Sequence, residues 1–263
     1  MEVPVLKKSH GSKPSDARRY RQAGHDNALK FALTIGLKRD YQNDKKAKKD
    51  VIDPSGDAHS VKSGFKKWQL FLYGRKRFEH DDGFQALNGI GTLLVHCIDA
   101  FPPSFKEYKR NPSIAKERLR TPMREIKDRL QRKALLRAFL GKSIFNSGEV
   151  DYLSTYYKNR FHVFYNKDVV KQLGDAFIVG NSTARAGDVP EQKVVFKYNN
   201  KTVGELEMRN DSEVHYQEIR FNMIIEPAME LLMDKIPQKA VYNKNVWVYG
   251  EASKRFGRWR KKK

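Results

Sequence analysis

The apolar residues of this chain change their period partway along it, and that change limits the possible folds more than any other feature. Between residues 114 and 140, Leu119, Met123, Ile126, Leu130, Leu135, Phe139 and Leu140 recur at helical spacing with Lys and Arg between them. This is the pattern of one long amphipathic helix, or of two with a break at Pro122. Beyond residue 150 the pattern shortens to strand length, at 163–165, 176–179, 193–198 and 202–208, with Asn199-Asn200-Lys201 as the turn between the last two. A further strand fits 218–222 and a helix fits 226–235. No internal repeat and no long Gly- or Pro-rich linker interrupts the chain, so the expectation is one α/β (α+β) domain, with a mixed central β-sheet flanked by helices.

The N-terminal half is more varied. Asp26 is placed to cap a short helix with Leu29, Phe31, Ala32, Leu33 and Ile35 on its apolar face and Gly36 at its end. Residues 66–79 read as a helix with Trp68, Phe71 and Leu72 inward, and 87–98 as a buried helix or strand ending at Phe101-Pro102-Pro103. Residues 1–22 form an expected basic arm and 251–263 a basic tail in which Phe256 and Trp259 could stack on bases. The domain between them, 23–250, divides into a hairpin region near 45–75, a helical middle at 85–145 and a β-rich part at 150–236.

Charge narrows the function. The 263 residues carry 52 Lys and Arg against 31 Asp and Glu, a formal net charge of +21. Self-repulsion of that size calls for a polyanionic partner, and nucleic acid is the commonest, because each neutralised phosphate releases condensed counterions. No run reaches the ~18 apolar residues of a membrane span, so no membrane partner and a cytoplasmic location are expected. The single cysteine, Cys97, lies in an apolar run and reads as a core residue; the scattered histidines offer no metal-binding pair.

The most informative segment is Lys49-Asp50-Val51-Ile52-Asp53-Pro54-Ser55-Gly56-Asp57-Ala58-His59-Ser60-Val61-Lys62. Pro54-Ser55-Gly56-Asp57 is turn chemistry between two extended pieces, so a hairpin brings Asp50 beside Ser60 and Lys62, with the latter two on one face. Phosphodiester hydrolysis needs a hard divalent cation on carboxylate oxygens, an activated water and a cation near the phosphate. The segment resembles the PD-(D/E)xK nuclease core of many type II restriction endonucleases, in which an acidic residue on one strand precedes an acidic-x-Lys triplet on the next. The resemblance implies Asp50 as the first acid, Ser60-Val61-Lys62 as the triplet with Lys62 as its lysine, and Gln69 on a helix behind the site. Ser60 stands where the family has an acid, and Asp53 or Asp57 could fill that gap. Spacing leaves open which of the three aspartates, Asp50, Asp53 or Asp57, binds Mg2+.

A second block, residues 204–223, looks like the late recognition segment of restriction endonucleases that cut short palindromes. Arg209, Asn210, Asp211, Ser212, His215, Tyr216 and Arg220 supply a set of base-reading side chains, with Asn181, Ser182 and Arg185 as additions. What the resemblance implies is a Mg2+-dependent endonuclease acting on double-stranded DNA as a homodimer. The alternative is a non-catalytic basic protein that binds DNA or RNA.

Overall fold

The computed structural model describes residues 14–64, 66–182 and 189–259. Along them the chain forms α1 (Pro14–Thr34), β1 (Val51–Ile52), β2 (Ala58–Lys62), β3 (Lys67–Tyr73), α2 (Arg75–His80), α3 (Asp82–Gln85) and α4 (Ile90–Asp99). Then come α5 (Phe105–Arg110), α6 (Pro112–Leu130), α7 (Lys133–Phe145), β4 (Tyr152–Tyr157), β5 (Arg160–Tyr165), α8 (Asn166–Ala176) and β6 (Ile178–Asn181). The chain continues through β7 (Lys193–Tyr198), β8 (Lys201–Met208), β9 (Ile219–Ile224), α9 (Ile225–Lys235), β10 (Gln238–Asn243) and β11 (Val246–Tyr249).

The mixed α and β content is as expected, but the single central sheet is not. Two sheets form: a six-stranded one in the order β1-β2-β4-β5-β11-β10 and an antiparallel five-stranded one in the order β3-β9-β8-β7-β6. The six-stranded sheet is the mixed one, with β2 parallel to β4 and β5 parallel to β11. The chain leaves it for the other sheet within the few residues that separate β2 from β3. Gly64 sits in that connection at φ +144°, a conformation open to glycine but strained for other residues.

Helices α7, α8 and α9 pack between the sheets, α7 touching both β3 and β4, while α6 covers β6 and β7. The larger apolar core gathers these helices with Trp68, Phe139, Phe196 and Phe221; the smaller one lies on the opposite face of the six-stranded sheet, under Phe31 and Ala32 of α1. Cys97 is fully buried in the larger core, as expected, and burial pushes its thiol well above the usual range. No helix among the described residues is long and apolar enough to cross a membrane.

Several boundaries move for physical reasons. Residues 67–73 are a strand, because exposed Lys67 and Gln69 alternate with buried Trp68 and Leu70, and β3 pairs with β9 along its length. The i,i+4 spacing of Trp68 and Leu72 suggested a helix there, but that spacing also fits a strand's period of two, and a bulge between Gln69 and Phe71 puts Phe71 rather than Leu72 on the buried face with Trp68. The helical middle breaks at Gln131-Arg132 rather than at Pro122, whose ring is buried inside α6. α1 begins at Pro14, inside the expected arm, of which residues 1–13 lie outside the described residues. At the other end Phe256 is buried in the smaller core and Trp259 packs against it, so these aromatics belong to the fold; residues 260–263 of the expected tail lie outside the described residues.

Candidate functional site

The hairpin forms as its turn chemistry predicts. Val51 pairs with His59 and Ile52 with Ala58. Asp53 builds the turn: its Oδ1 accepts from the Ser55 N–H at 2.7 Å and the Asp57 N–H at 3.2 Å, while Gly56 takes φ +85°. Asp50 lies at the open end, where its Oδ2 accepts from the Val61 N–H at 2.8 Å and from the Ser60 hydroxyl at 3.5 Å. Its Oδ1 accepts no hydrogen bond among the described residues.

The three aspartates do not converge. Alternation along β2 turns His59 and Val61 toward the smaller core and Ser60 and Lys62 toward the interhelical side. Asp53 follows His59: it is 4% exposed, and its Oδ2 lies 3.3 Å from His59 Nε2. The far ring nitrogen of His59 meets the Ser154 hydroxyl at 2.9 Å, and Tyr152 stacks on the ring. This Asp–His–Ser array is sealed, with His59 and Ser154 at 0% exposure, so no substrate reaches it and its role is structural. Asp57 lies on the same side, accepting from the Tyr152 hydroxyl at 2.9 Å, and burial raises its carboxyl above the usual range. Only Asp50 stays with Ser60 and Lys62.

Lys62 is one of a set of cations around Lys48. Lys48, held at φ +61°, donates to the Leu70 carbonyl of β3 and the Ser143 carbonyl of α7, so one ammonium ties the segment before β1 to the five-stranded sheet and to the helical layer. Burial first, and then the charges of Lys62, Lys142 and Arg77, bring its pKa down to about 7, with Asp81 opposing. Lys142 is itself buried, bonded to Asp81 at 2.7 Å and to Asn146 at 2.9 Å; Arg77 holds the other oxygen of Asp81 at 2.9 Å. Lys62 is within 4.0 Å of no carboxylate among the described residues.

The depressed Lys48 has a measurable consequence. Between pH 7 and 10 the unfolded chain keeps the Lys48 proton that the folded chain releases, so the unfolded state binds more protons and stability rises with pH. At about 1.4 kcal/mol per pH unit of mismatch, denaturant unfolding should show a gain on the order of a few kcal/mol over that interval. In Lys48→Met the rise should flatten; an equal rise in that variant would assign it to another group.

Among the described residues no group of three His, Cys, Asp or Glu side chains lies close enough to hold a metal ion. Asp50, Asp53 and Asp57 therefore do not come together as one metal centre. The donor chemistry fits a more limited role, because Mg2+ is commonly held by one or two carboxylates with the rest of its shell from substrate phosphates and water, and Asp50 has one oxygen available for that.

The second block is largely paired internally. The Arg209 guanidinium meets Asp211 at 2.6 Å, His215 Nδ1 meets Glu218 at 2.7 Å, and Arg220 forks onto Glu207. Ser212 accepts from the His215 N–H, and Tyr216 donates to the Pro102 carbonyl among Phe101, Phe105 and Tyr108. Asn181 donates to the carbonyls of Met123 and Lys193, and the Ser182 hydroxyl accepts from the Gln192 N–H. Arg185 lies outside the described residues. Gln69 is exposed on β3 opposite Asn222, on the face of the five-stranded sheet where Lys67, Glu205, Lys193, Glu207 and Arg220 form a chain of ion pairs, and not on a helix behind the hairpin. Asn210 is partly exposed, and the Asp211 carboxylate is 49% exposed.

Lys48, Arg77 and Lys142 were missed by the sequence reading. Lys48 and Arg77 sit in segments rich in charge, where a solvated side chain is the ordinary outcome, Lys142 stands alone in the apolar run of α7, and only the arrangement of α2, α7 and β3 brings them together. No protein-family model matches this chain, and neither the curated proteins nor the solved structures yield a match.

Proposed function

We propose that this chain binds double-stranded DNA and hydrolyses its phosphodiester bonds with Mg2+, as a site-specific endonuclease of the type II restriction class. The observation that carries this reading is the placement of Asp50: its carboxylate is fixed on the Val61 N–H beside Ser60, on the hairpin face that also bears Lys62, whose charge acts on Lys48 together with those of Lys142 and Arg77. A phosphate approaching that face meets ammonium groups on one side and a carboxylate oxygen on the other. The Lys62 ammonium stabilises the charge that grows on the attacked phosphate. Asp50 Oδ1 is the oxygen offered to Mg2+, which when bound supplies polarisation of the phosphate and activation of water. The loop between β8 and β9 carries the base-reading groups, of which Asn210 and the Asp211 carboxylate are the most accessible. A palindromic site has a two-fold axis, which a homodimer would match.

A single carboxylate makes a poor resting site for the metal. Titrating Mg2+ into the free protein should give saturation only at roughly millimolar concentration, and tighter apparent binding once duplex is present. Tight binding without DNA would mean that another carboxylate joins Asp50. Plasmid incubated with the protein and Mg2+ should be cut into discrete fragments and stay intact in EDTA; a featureless smear, or intact plasmid under both conditions, contradicts the proposal.

The separation of Asp53 and Asp57 from Asp50 favours a second reading, that of a non-catalytic nucleic-acid-binding protein. It predicts salt-sensitive binding in EDTA that Mg2+ neither alters nor converts into cleavage.

A further inference from the structure

Cations crowd one place in this protein beyond what its carboxylates there can offset. Lys62, Lys142 and Arg77 all act electrostatically on Lys48, and Asp81 is the one acid in that set. Asp81 is already shared by Lys142 and Arg77 and caps α3 through the Gly83 N–H. Lys48 has only carbonyl partners, and Lys62 has no carboxylate within 4.0 Å among the described residues. Grouping buried ammonium ions in this way is costly unless an anion joins them.

The same place holds an unsatisfied acceptor and donor. The hydroxyl of Ser143, a residue 1% exposed whose carbonyl receives Lys48, has no hydrogen-bond partner among the described residues. Tyr73 forms a floor: the Arg77 guanidinium lies 5.2 Å from its ring centre and the Lys48 ammonium 5.7 Å. Arg77, 42% exposed, gives the group an opening to solvent. A guanidinium at the entrance, ammonium groups behind it and a spare hydroxyl suit a tetrahedral oxyanion, which takes several donors at once.

We propose that Lys48, Arg77, Lys142 and the Ser143 hydroxyl form a phosphate subsite, which holds a backbone phosphate neighbouring the one beside Asp50 and Lys62. The subsite rests on the chain binding nucleic acid, and does not depend on hydrolysis. It fixes the register of the strand, while Asp50 and Lys62 address the adjoining linkage.

The test is duplex affinity against salt concentration in EDTA, for the parent protein, Arg77→Gln, Lys48→Gln and Lys239→Gln on the far edge strand β10. Arg77 is half-exposed, so its variant keeps the readout should Lys48→Gln fold poorly. Losing one phosphate contact should reduce the slope of log K on log salt by about 1 in Arg77→Gln. Lys239→Gln should leave it unchanged. A parent protein that binds duplex while Arg77→Gln shows the same slope overturns the subsite. Should the parent protein bind no duplex, the reading of the chain as a nucleic-acid binder fails. In that event a rise in melting temperature with inorganic phosphate, abolished by Arg77→Gln, retains the subsite for free phosphate, and no such rise overturns it.

Discussion

Replacing Asp53 by alanine should destabilise the fold by roughly 3–5 kcal/mol, the range seen when one partner of a buried polar or ionic pair is removed. One carboxylate serves three donors: the Ser55 N–H, the Asp57 N–H and the His59 ring nitrogen at 3.3 Å. Removing it leaves the His59 ring nitrogen unpaired in the smaller core, at about 1–3 kcal/mol for a fully buried group, and also releases the two part-buried N–H groups that shape the turn. Asp53→Asn keeps one acceptor and should lose less. His59→Phe should be intermediate, since a ring persists between Tyr152, Phe31 and Phe256 while Ser154 and Asp53 lose a partner. Urea unfolding of the three variants checks the order. If Asp53→Ala were as stable as the parent protein and inactive, Asp53 would be a functional acid and not a structural one.

Lys62→Ala should lower the cleavage rate by about 10²–10³, the usual cost of removing one preorganised group that stabilises transition-state charge. The residue is well placed to do this without carrying structure: it ends β2, is only partly buried, and has no carboxylate within 4.0 Å among the described residues. Its variant should therefore fold normally. DNA affinity should fall only by the loss of one phosphate contact, a change of about 1 in the salt slope. Single-turnover cleavage alongside equilibrium binding separates the two effects. A variant that loses binding and rate in equal proportion would place Lys62 in DNA binding alone.

The hairpin was readable in the sequence because its determinants are local: Pro54, Ser55, Gly56 and Asp57 fix the turn, and the turn fixes which residues face each other. The roles of Asp53 and Asp57 were not, because an aspartate beside a turn has the same sequence signature whether it binds a metal or caps the turn's own N–H groups. The strand at 67–73 was misread since Trp68 and Leu72 stand a helical turn apart, a spacing that a strand's period of two fits equally well, and the bulge that brings Phe71 onto the buried face with Trp68 cannot be seen in the residues themselves. Pro122 was expected to break a helix, but buried within α6 it lies among Leu119, Met123 and Ile126, whose packing holds the helix together there. Lys48 illustrates the limit most clearly. It sits among Lys45, Lys46 and Lys49 in a charged run, and nothing in that run marks which lysine crosses to the carbonyls of Leu70 and Ser143. Burial of a charge is decided by elements far away in the chain.

The division of the aspartates between the two faces of β2 gives the most direct test. Supercoiled plasmid should be incubated in Mg2+ with the parent protein, Asp50→Asn and Asp57→Asn, after each variant is shown to be folded by circular dichroism. The account predicts discrete fragments from the parent protein and from Asp57→Asn, and uncut plasmid with Asp50→Asn. Cleavage that survives in Asp50→Asn and disappears in Asp57→Asn would put the chemistry on the other face of the hairpin and contradict it.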